Sequence, residues 1–255
     1  MKDNTLWQWS GFILDLMSRE KDKPHALSHI FKNQLFKLNH LESLDLSPIY
    51  PGEESKMTSL KHGYFNKESL DRAKERLANG AKSVSISLQN RDKTYTKQDH
   101  CMVSLVLYRE RKYYEATVFY RTTEICRKFL FDLKFIHEEI MPYLGIEKYT
   151  LTIFFTQLTL SLIFLHTLFL MNPDLLDMIK KESFNPNWRE ILQDYLHYIN
   201  KMLERKERGN MLMSHWRHFQ KFKKTKEFEK LYAILTRRNL NARTNKLSNE
   251  DSPES

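Results

Sequence analysis

The segment HCMVSLVLYRERKYYEATVFYRTTEICRKFLFD, residues 100–132, contains the most informative pattern in the chain. Two runs rich in apolar, β-branched and aromatic residues, Met102–Tyr108 and Glu115–Tyr120, flank a charged Arg-Glu-Arg-Lys turn. Such runs on either side of a short polar turn predict an antiparallel β-hairpin. The hairpin would bring Cys101, which precedes its first strand, beside Arg121, which follows its second, at one end of a sheet.

The sequence around this hairpin indicates an α+β chain. Residues 82–89 alternate between apolar and polar, which predicts a strand with Val84, Ile86 and Leu88 on the core face. Residues 43–59 hold two prolines and a glycine and are predicted to form a loop. The other predicted elements are helices at Leu6–Arg19, Ala26–Leu38, Asn66–Leu77, Thr122–Met141, Thr159–Met171, Trp188–Lys206 and Met211–Leu240, a helix that starts at Asn172-Pro173, and a strand at Tyr149–Gln157.

Composition divides the chain into three parts. Residues 1–185 are predicted to form the α+β domain, residues 186–240 a basic amphipathic helical extension, and residues 241–255 a disordered tail without aromatic residues. The basic face of the extension suits a nucleic acid or an acidic protein partner, although a merely solvated helix face has the same composition. The second helix of the extension, Met211–Leu240, carries the basic residues Arg217, Lys221, Lys223, Lys224, Lys226, Lys230, Arg237 and Arg238.

The composition excludes several classes of protein. The two cysteines, Cys101 and Cys126, are too few for a disulfide framework or a cysteine-rich zinc site. The six glycines form neither a GxGxxG motif nor a P-loop, and the net charge of +9 favours acidic partners such as nucleotides. We expect a cytoplasmic protein because no signal peptide is recognisable. We expect no membrane span because polar residues interrupt the apolar run Leu151–Met171.

Cys101 and Arg121 are candidate site residues because of their chemistry. A cysteine nucleophile reacts as its thiolate, and a nearby guanidinium or helix N-terminus lowers the thiol pKa. Thr122 is predicted to cap the helix that follows the hairpin, with Glu124 in its first turn. An anion bound by Arg121 and this N-terminus would then sit near the thiol. In the alternative interpretation, Cys101 is a small buried side chain at a strand edge.

At these residues the sequence resembles the thymidylate synthase and deoxycytidylate hydroxymethylase family, over about residues 66–170. In that family a strand that ends in Ile-Ser-x-Trp-Asn, a Pro-Cys-His nucleophile, a hairpin and an Arg-Ser-x-Asp box follow one another. The corresponding segments here are Ile86–Asn90, His100–Met102 and Arg121–Glu124, and Asp132 falls where the family has its base-reading residue. The resemblance implies a thymidylate-synthase-like mixed sheet and a symmetric homodimer built on it.

The resemblance also implies a role for each matched residue. Cys101 would attack C6 of a pyrimidine nucleotide and make C5 nucleophilic, while Arg121 and Thr122 would bind the 5′-phosphate. Asp132 would read the base, because a carboxylate accepts a hydrogen bond from the amine of cytosine, whereas an Asn would suit uracil. Glu124 would replace the family's Asp on the folate and water side of the site, with methylene-tetrahydrofolate as the one-carbon donor.

The chain departs from the family at several binding positions. Lys82-Ser83 stands where the family has the double arginine that completes the phosphate site across the dimer. His166 is the single candidate, at a shifted position, for the His and Tyr that hold the sugar. The nucleophile turn is His-Cys-Met, and neither the family's Gly-rich, Arg-containing loop nor its C-terminal closing segment has a counterpart.

Two functions therefore compete. The first is a divergent pyrimidine-nucleotide C5 one-carbon transferase with Cys101 as the nucleophile. The second is a non-catalytic member of the same fold that binds a nucleotide, a nucleic acid or a protein partner through its basic helices. Retention of Cys101, Arg121 and Asp132 favours the first function, and the loss of sugar and phosphate ligands favours the second.

Overall fold

The structure, a computed structural model, describes residues 4–19, 28–49, 53–89, 101–111, 113–161, 164–180, 192–193, 195, 197 and 220–234. Its strands are β1 (Ser28–Leu38), β2 (Ser83–Ser87), β3 (Met102–Glu110), β4 (Tyr113–Glu124) and β5 (Tyr149–Ser161). Its helices are α1 (Thr5–Ser18), α2 (Glu53–Tyr64), α3 (Lys67–Ala78), α4 (Lys128–Phe135), a π-helical turn (Ile136–Ile140), α5 (Met141–Tyr143), α6 (His166–Met171) and α7 (Asp174–Lys180).

The five strands form one mixed sheet in the order β1-β5-β4-β3-β2. Strands β4 and β5 are parallel, and the other three pairs are antiparallel. The parallel pair is joined by the helical segment from α4 to α5, as a crossover connection requires. This mixed sheet with its helices confirms the predicted α+β class.

The predicted hairpin is present. Strands β3 and β4 pair from Met102 opposite Tyr120 to Glu110 opposite Tyr113, so that two residues form the turn. Arg111 in this turn has a φ of 39°, in the left-handed region that two-residue hairpins use. The hairpin places the residue before β3 at the same sheet end as the last part of β4.

An aromatic cluster forms the core between the sheet and the helices on one face. The ring of Phe129 from α4 meets Tyr120 at 5.9 Å, Phe155 at 5.3 Å and Phe36 at 6.0 Å between centroids. Phe12 of α1 stacks on Phe36 at 4.7 Å. Burying such rings is the main stabilising contribution of this face, and it holds α1 and α4 against the strands.

Two shorter predictions are also confirmed. Helix α3 begins after Asn66, whose Oδ1 accepts a hydrogen bond from the Ser69 backbone N–H at 3.1 Å, as an N-cap does. The alternating residues Val84, Ile86 and Leu88 are all buried on the core side of β2 and just beyond it.

The predicted helix Ala26–Leu38 is wrong, because most of this segment is the edge strand β1. It pairs with β5 from Ser28 opposite Ser161 to Leu38 opposite Leu151. The backbone groups on that side of β5 need partners, and β1 supplies them, so long-range pairing overrides the local helical spacing. For the same reason β5 continues to Ser161, and the helix predicted from Thr159 begins only at His166.

Two further predictions are wrong at the borders of helices. The predicted loop 43–59 contains the start of α2 at Glu53, directly after Pro51 and Gly52. Thr122 does not cap a helix, because β4 pairs with β5 through Glu124 and α4 begins at Lys128. The helix predicted to start at Asn172-Pro173 is present as α7, which begins at Asp174, directly after that proline.

The chain forms two compact units. The first comprises residues 1–13 and 28–161 and contains the sheet; the second comprises residues 14–27 and 162–255. None of the helices in the described ranges has the length and hydropathy of a membrane-spanning segment. The predicted tail, residues 241–255, lies outside the described residues, and the division of the chain near residue 185 stays a prediction.

Candidate active site

Cys101 and Arg121 are direct neighbours at the open end of the β3–β4 hairpin. The backbone N–H of Arg121 donates to the carbonyl oxygen of Cys101 at 2.9 Å. The Cys101 side chain is half-buried, and that of Arg121 is exposed. The sequence therefore predicted correctly that a thiol and a guanidinium meet at one end of the sheet.

Tyr64, the last residue of α2, holds the Cys101 turn in position. Its hydroxyl oxygen accepts hydrogen bonds from the backbone N–H groups of Cys101 at 2.7 Å and Met102 at 3.3 Å. The same hydroxyl bonds the Cys101 side chain and lowers the pKa of the thiol. A hydroxyl that accepts from two amides is a polarised donor, so Tyr64 is suited to stabilising a thiolate.

Asp132 is a buried carboxyl on α4, one helical turn after Phe129. Its side chain is 3% exposed, and burial raises its pKa from 3.8 to about 7. The positive charges of Lys56 and Lys128 act in the opposite direction but do not outweigh burial. A carboxyl that exchanges its proton near neutral pH is a frequent feature of functional sites.

The charge of the Asp132 carboxyl acts on the Cys101 thiol. Burial, and then the charge of Asp132, raise the pKa of the thiol, while Lys128, Arg121 and Tyr64 lower it. Burial is the larger effect, so the thiol is protonated at neutral pH when no ligand is bound. Protonation of Asp132 removes this repulsive charge, so the thiol loses its proton more readily when Asp132 is neutral.

Three cations surround this pair: Arg121 of β4, Lys128 at the start of α4 and Lys56 of α2. Lys56 is half-buried, and the other two side chains are exposed. Sequence reasoning missed Lys56 and Tyr64 because the start of α2 was predicted to be a loop. Lys56, Leu60 and Tyr64 recur every four residues, and this helical spacing was the signal that could have identified them.

Glu124 caps the turn between β4 and α4. One carboxylate oxygen accepts from the backbone N–H of Cys126 at 3.0 Å and the other from that of Arg127 at 2.9 Å. Burial raises its pKa, and these two hydrogen bonds lower it. The amides before α4 thus bind Glu124, and the predicted anion site at a helix N-terminus directly beside Arg121 is wrong.

The other predicted site residues are Thr122, Lys82 and His166. Thr122 is half-buried within β4 and pairs with Gln157 of β5. The carbonyl of Lys82 accepts from the backbone N–H of Arg109 at 2.8 Å, which places Lys82 about 26 Å along β3 from Cys101. His166 begins α6 in the second unit, is buried, and stacks on the Phe222 ring at 5.2 Å.

The basic extension is described in part. Residues 226–234 are helical, and Phe222, Phe228 and Leu231 are buried. The exposed lysines of this part are Lys221, Lys223, Lys224, Lys226 and Lys230. Arg217, Arg237 and Arg238 lie outside the described residues.

The candidate active site is thus a thiol, a buried carboxyl and a tyrosine hydroxyl at a sheet end, with three cations around them. Cys101, Arg121 and Asp132 come from the sequence prediction, and Tyr64, Lys56 and Lys128 are added by the fold. Comparison of the chain with protein-family models and with curated proteins gives no match.

Proposed function

We propose that this protein is a divergent pyrimidine-nucleotide C5 transferase that uses Cys101 as its nucleophile. The observation that carries the proposal is the position of the Cys101 thiol, directly beside Arg121 and within the electrostatic influence of Asp132 and Lys128. A nucleophile, a base-reading carboxyl and phosphate-binding cations are the three elements that this chemistry needs. Their meeting in one place favours a catalytic role over that of a purely structural cysteine.

The proposed reaction begins with addition of the Cys101 sulfur to C6 of the ring. The thiol proton passes to water, the new C–S bond forms, and the C5–C6 electron pair moves to C5 and, by conjugation, to N3 of a cytosine or O4 of a uracil. Asp132 accepts a hydrogen bond from a C4 amine, and Arg121 with Lys128 neutralises the nucleotide phosphate. C5 then takes up an electrophile, loses its proton, and expels the sulfur as the double bond re-forms.

The one-carbon donor that the resemblance implies is methylene-tetrahydrofolate, which would supply the carbon added at C5. Glu124, the residue implied for that side of the site, has both carboxylate oxygens engaged by backbone amides. Its geometry is that of a turn-capping residue and does not fit a role toward folate. The proposal therefore assigns the pyrimidine chemistry to this chain's residues and routes no step through the folate.

Release of tritium from C5-labelled nucleotides tests the proposal. We expect purified protein to release tritium from deoxycytidylate faster than from deoxyuridylate, because Asp132 favours the amine-bearing base. The assay is run with and without methylene-tetrahydrofolate, so that a donor-independent exchange is also detected. Absence of release from both nucleotides in both conditions would refute the transferase proposal.

We further propose that the protein is a homodimer built on the sheet face opposite the helices. Strand register aligns Leu35, Phe154, Phe119 and Ser104 in a row on this face. Leu35 is 52% exposed and Phe119 is 38% exposed, at either side of Phe154, so the row presents apolar surface to solvent. A two-fold dimer on this face would cover the row, and Lys82 would then serve the site of the second copy.

Phe119→Glu is expected to convert the dimer to a monomer in sedimentation at micromolar concentration. The substitution sets two like charges near the two-fold axis, where they repel and lose hydration. Ile30→Glu is the matched control, since Ile30 is 57% exposed on the edge strand but lies on the other face. A wild-type protein that sediments as a monomer would contradict the proposed dimer.

A second candidate function is nucleic-acid binding by the extension. The supporting observation is the group of five exposed lysines among residues 220–234. We expect the triple variant Lys221/Lys223/Lys224→Glu to weaken binding to single-stranded DNA. The slope of the logarithm of the binding constant against the logarithm of the salt concentration should become shallower by about 0.7 for each phosphate that the variant no longer neutralises.

An equal charge change elsewhere on the chain is the control for that experiment. Lys32/Lys74/Lys148→Glu alters exposed lysines of the sheet unit and should leave the salt slope unchanged. Equal decreases of affinity in both triple variants would show a general charge effect and refute a binding surface in the extension.

A further inference from the structure

Tyr120 carries a buried hydroxyl that the fold does not satisfy. The residue is 1% exposed, and its hydroxyl has no hydrogen-bond partner among the described residues. Buried tyrosine hydroxyls normally have a partner, because leaving one unpaired costs stability. A group of this kind needs an explanation, and a bound ligand is one.

The position of Tyr120 is fixed by its neighbours. Its ring packs against Phe129 at 5.9 Å and Phe155 at 5.3 Å, and its backbone pairs with Met102, the residue after Cys101. Asp132 follows Phe129 by one helical turn on the same side of α4. The hydroxyl therefore belongs to the cluster around Cys101.

The electrostatics agree with this placement. Burial raises the pKa of Tyr120, and the charges of Asp132, Tyr64 and Cys101 raise it further, in that order. The hydroxyl thus keeps its proton throughout the physiological pH range and is a permanent donor. Asp132, by contrast, accepts hydrogen bonds when ionised and also donates when protonated.

Asp132 differs from Tyr120 in that its carboxyl oxygens are not among the fully buried unpaired atoms. Within the described ranges its carboxyl makes no hydrogen bond or ion pair, and the lysines that affect it act only through their charge. Tyr120 and Asp132 do not bond each other either, although each has the groups to do so. A ligand atom pair between them would satisfy both.

We propose that the Tyr120 hydroxyl and the Asp132 carboxyl together bind the polar edge of a planar heterocycle, and that Tyr120 determines specificity at this site. The inference rests on the proposed function and extends it to a residue that the resemblance does not assign. Cytosine fits this pair: its exocyclic amine donates to Asp132, and the adjacent ring nitrogen accepts from Tyr120. A site with a dedicated donor rejects a ring that lacks the matching acceptor.

The test compares Tyr120→Phe with Thr123→Val in the full chain. Thr123 also has a buried hydroxyl without a partner in the part of the chain that the structure describes, but it lies on the opposite face of β4. Calorimetry measures deoxycytidylate and deoxyuridylate affinity, and thermal unfolding measures stability. We expect both variants to unfold at the wild-type temperature or higher, since each removes an unpaired polar group.

Binding should separate the two variants. We expect Tyr120→Phe to weaken deoxycytidylate binding about tenfold and deoxyuridylate binding less, whereas Thr123→Val keeps the wild-type affinity. Reduced thermal stability in Tyr120→Phe would overturn the inference, since the hydroxyl would then be paired by the protein or by bound water. Unchanged deoxycytidylate affinity, within about twofold, would also overturn it and leave the transferase proposal standing.

The remaining outcomes separate the inference from the proposed function. A wild-type protein that binds neither nucleotide would overturn both. Binding that Tyr120→Phe weakens, without tritium release from C5, would support the recognition role and refute only the transferase reaction.

Discussion

Cys101→Ser is expected to abolish tritium release from C5-labelled deoxycytidylate, with a fall in rate of about 10³-fold or more. A serine hydroxyl is a far weaker nucleophile than a thiol and holds its proton more tightly. Tyr64, Arg121 and Lys128 stabilise an anion at this position but do not act as bases. The substitution therefore removes the covalent step and keeps the fold, because the Tyr64 hydroxyl binds backbone groups.

Cys126→Ala is the matched control for this effect. Cys126 is fully buried in the turn between β4 and α4, and burial raises the pKa of its thiol well above the ordinary value. A protonated thiol without access to solvent cannot attack a nucleotide. We expect the alanine variant to release tritium within a few-fold of the wild-type rate, and an equal decrease in both variants would contradict a specific role for Cys101.

Asp132→Asn is expected to remove most of the decrease in stability that the protein shows between pH 5 and pH 8. Folding raises the pKa of this carboxyl from 3.8 to about 7. Over that pH interval the shift lowers the free energy of unfolding of the wild-type protein by about 2 to 3 kcal/mol. The amide introduced by the substitution does not titrate, so urea unfolding of the variant should show a much flatter pH profile.

The sign follows from which state holds the proton more tightly. Between about pH 4 and pH 7 the folded protein keeps the Asp132 proton while the unfolded chain has lost it. Stability falls with rising pH wherever the folded state binds more protons. Above pH 7 the buried carboxylate is ionised in both states, and the full difference of about 4 kcal/mol acts against the fold.

Glu115→Gln is the control for the pH experiment. Glu115 lies on the same strand as Tyr120 but is exposed, so replacing it should leave the pH profile of unfolding unchanged. A wild-type protein equally stable at pH 5 and pH 8 would contradict an unpaired buried carboxyl. An Asp132→Asn variant whose free energy of unfolding changed with pH as steeply as that of the wild type would also contradict it.

Local sequence patterns were sufficient to predict those elements whose signal spans only a few consecutive residues. The strand at 83–87, the cap of α3 at Asn66 and the β3–β4 hairpin follow from alternation, capping chemistry and a polar turn. The hairpin also determined the meeting of Cys101 and Arg121, because antiparallel pairing over a known turn determines which ends coincide.

Distant pairing decided the elements that local patterns misassigned. Segment 28–38 has apolar residues at helical spacing, yet it is a strand because β5 has a free edge for it to pair with. Helix α4 starts later than expected because β4 continues its parallel pairing with β5 through Glu124. Such hydrogen bonds join residues more than a hundred positions apart in the first case, and no short window of sequence contains both partners.

The candidate site shows the same division. The sequence determined the thiol, the guanidinium beside it and the carboxyl one helix further on. Only the tertiary structure placed Tyr64 and Lys56 in the site. They are about 12 Å apart along α2, and Tyr64 bonds Cys101 while the charge of Lys56 acts on Asp132. Burial was likewise decided by the tertiary structure, because desolvation depends on what surrounds a group in space. Burial in the fold raises the pKa of Asp132 and leaves the Tyr120 hydroxyl without a partner among the described residues.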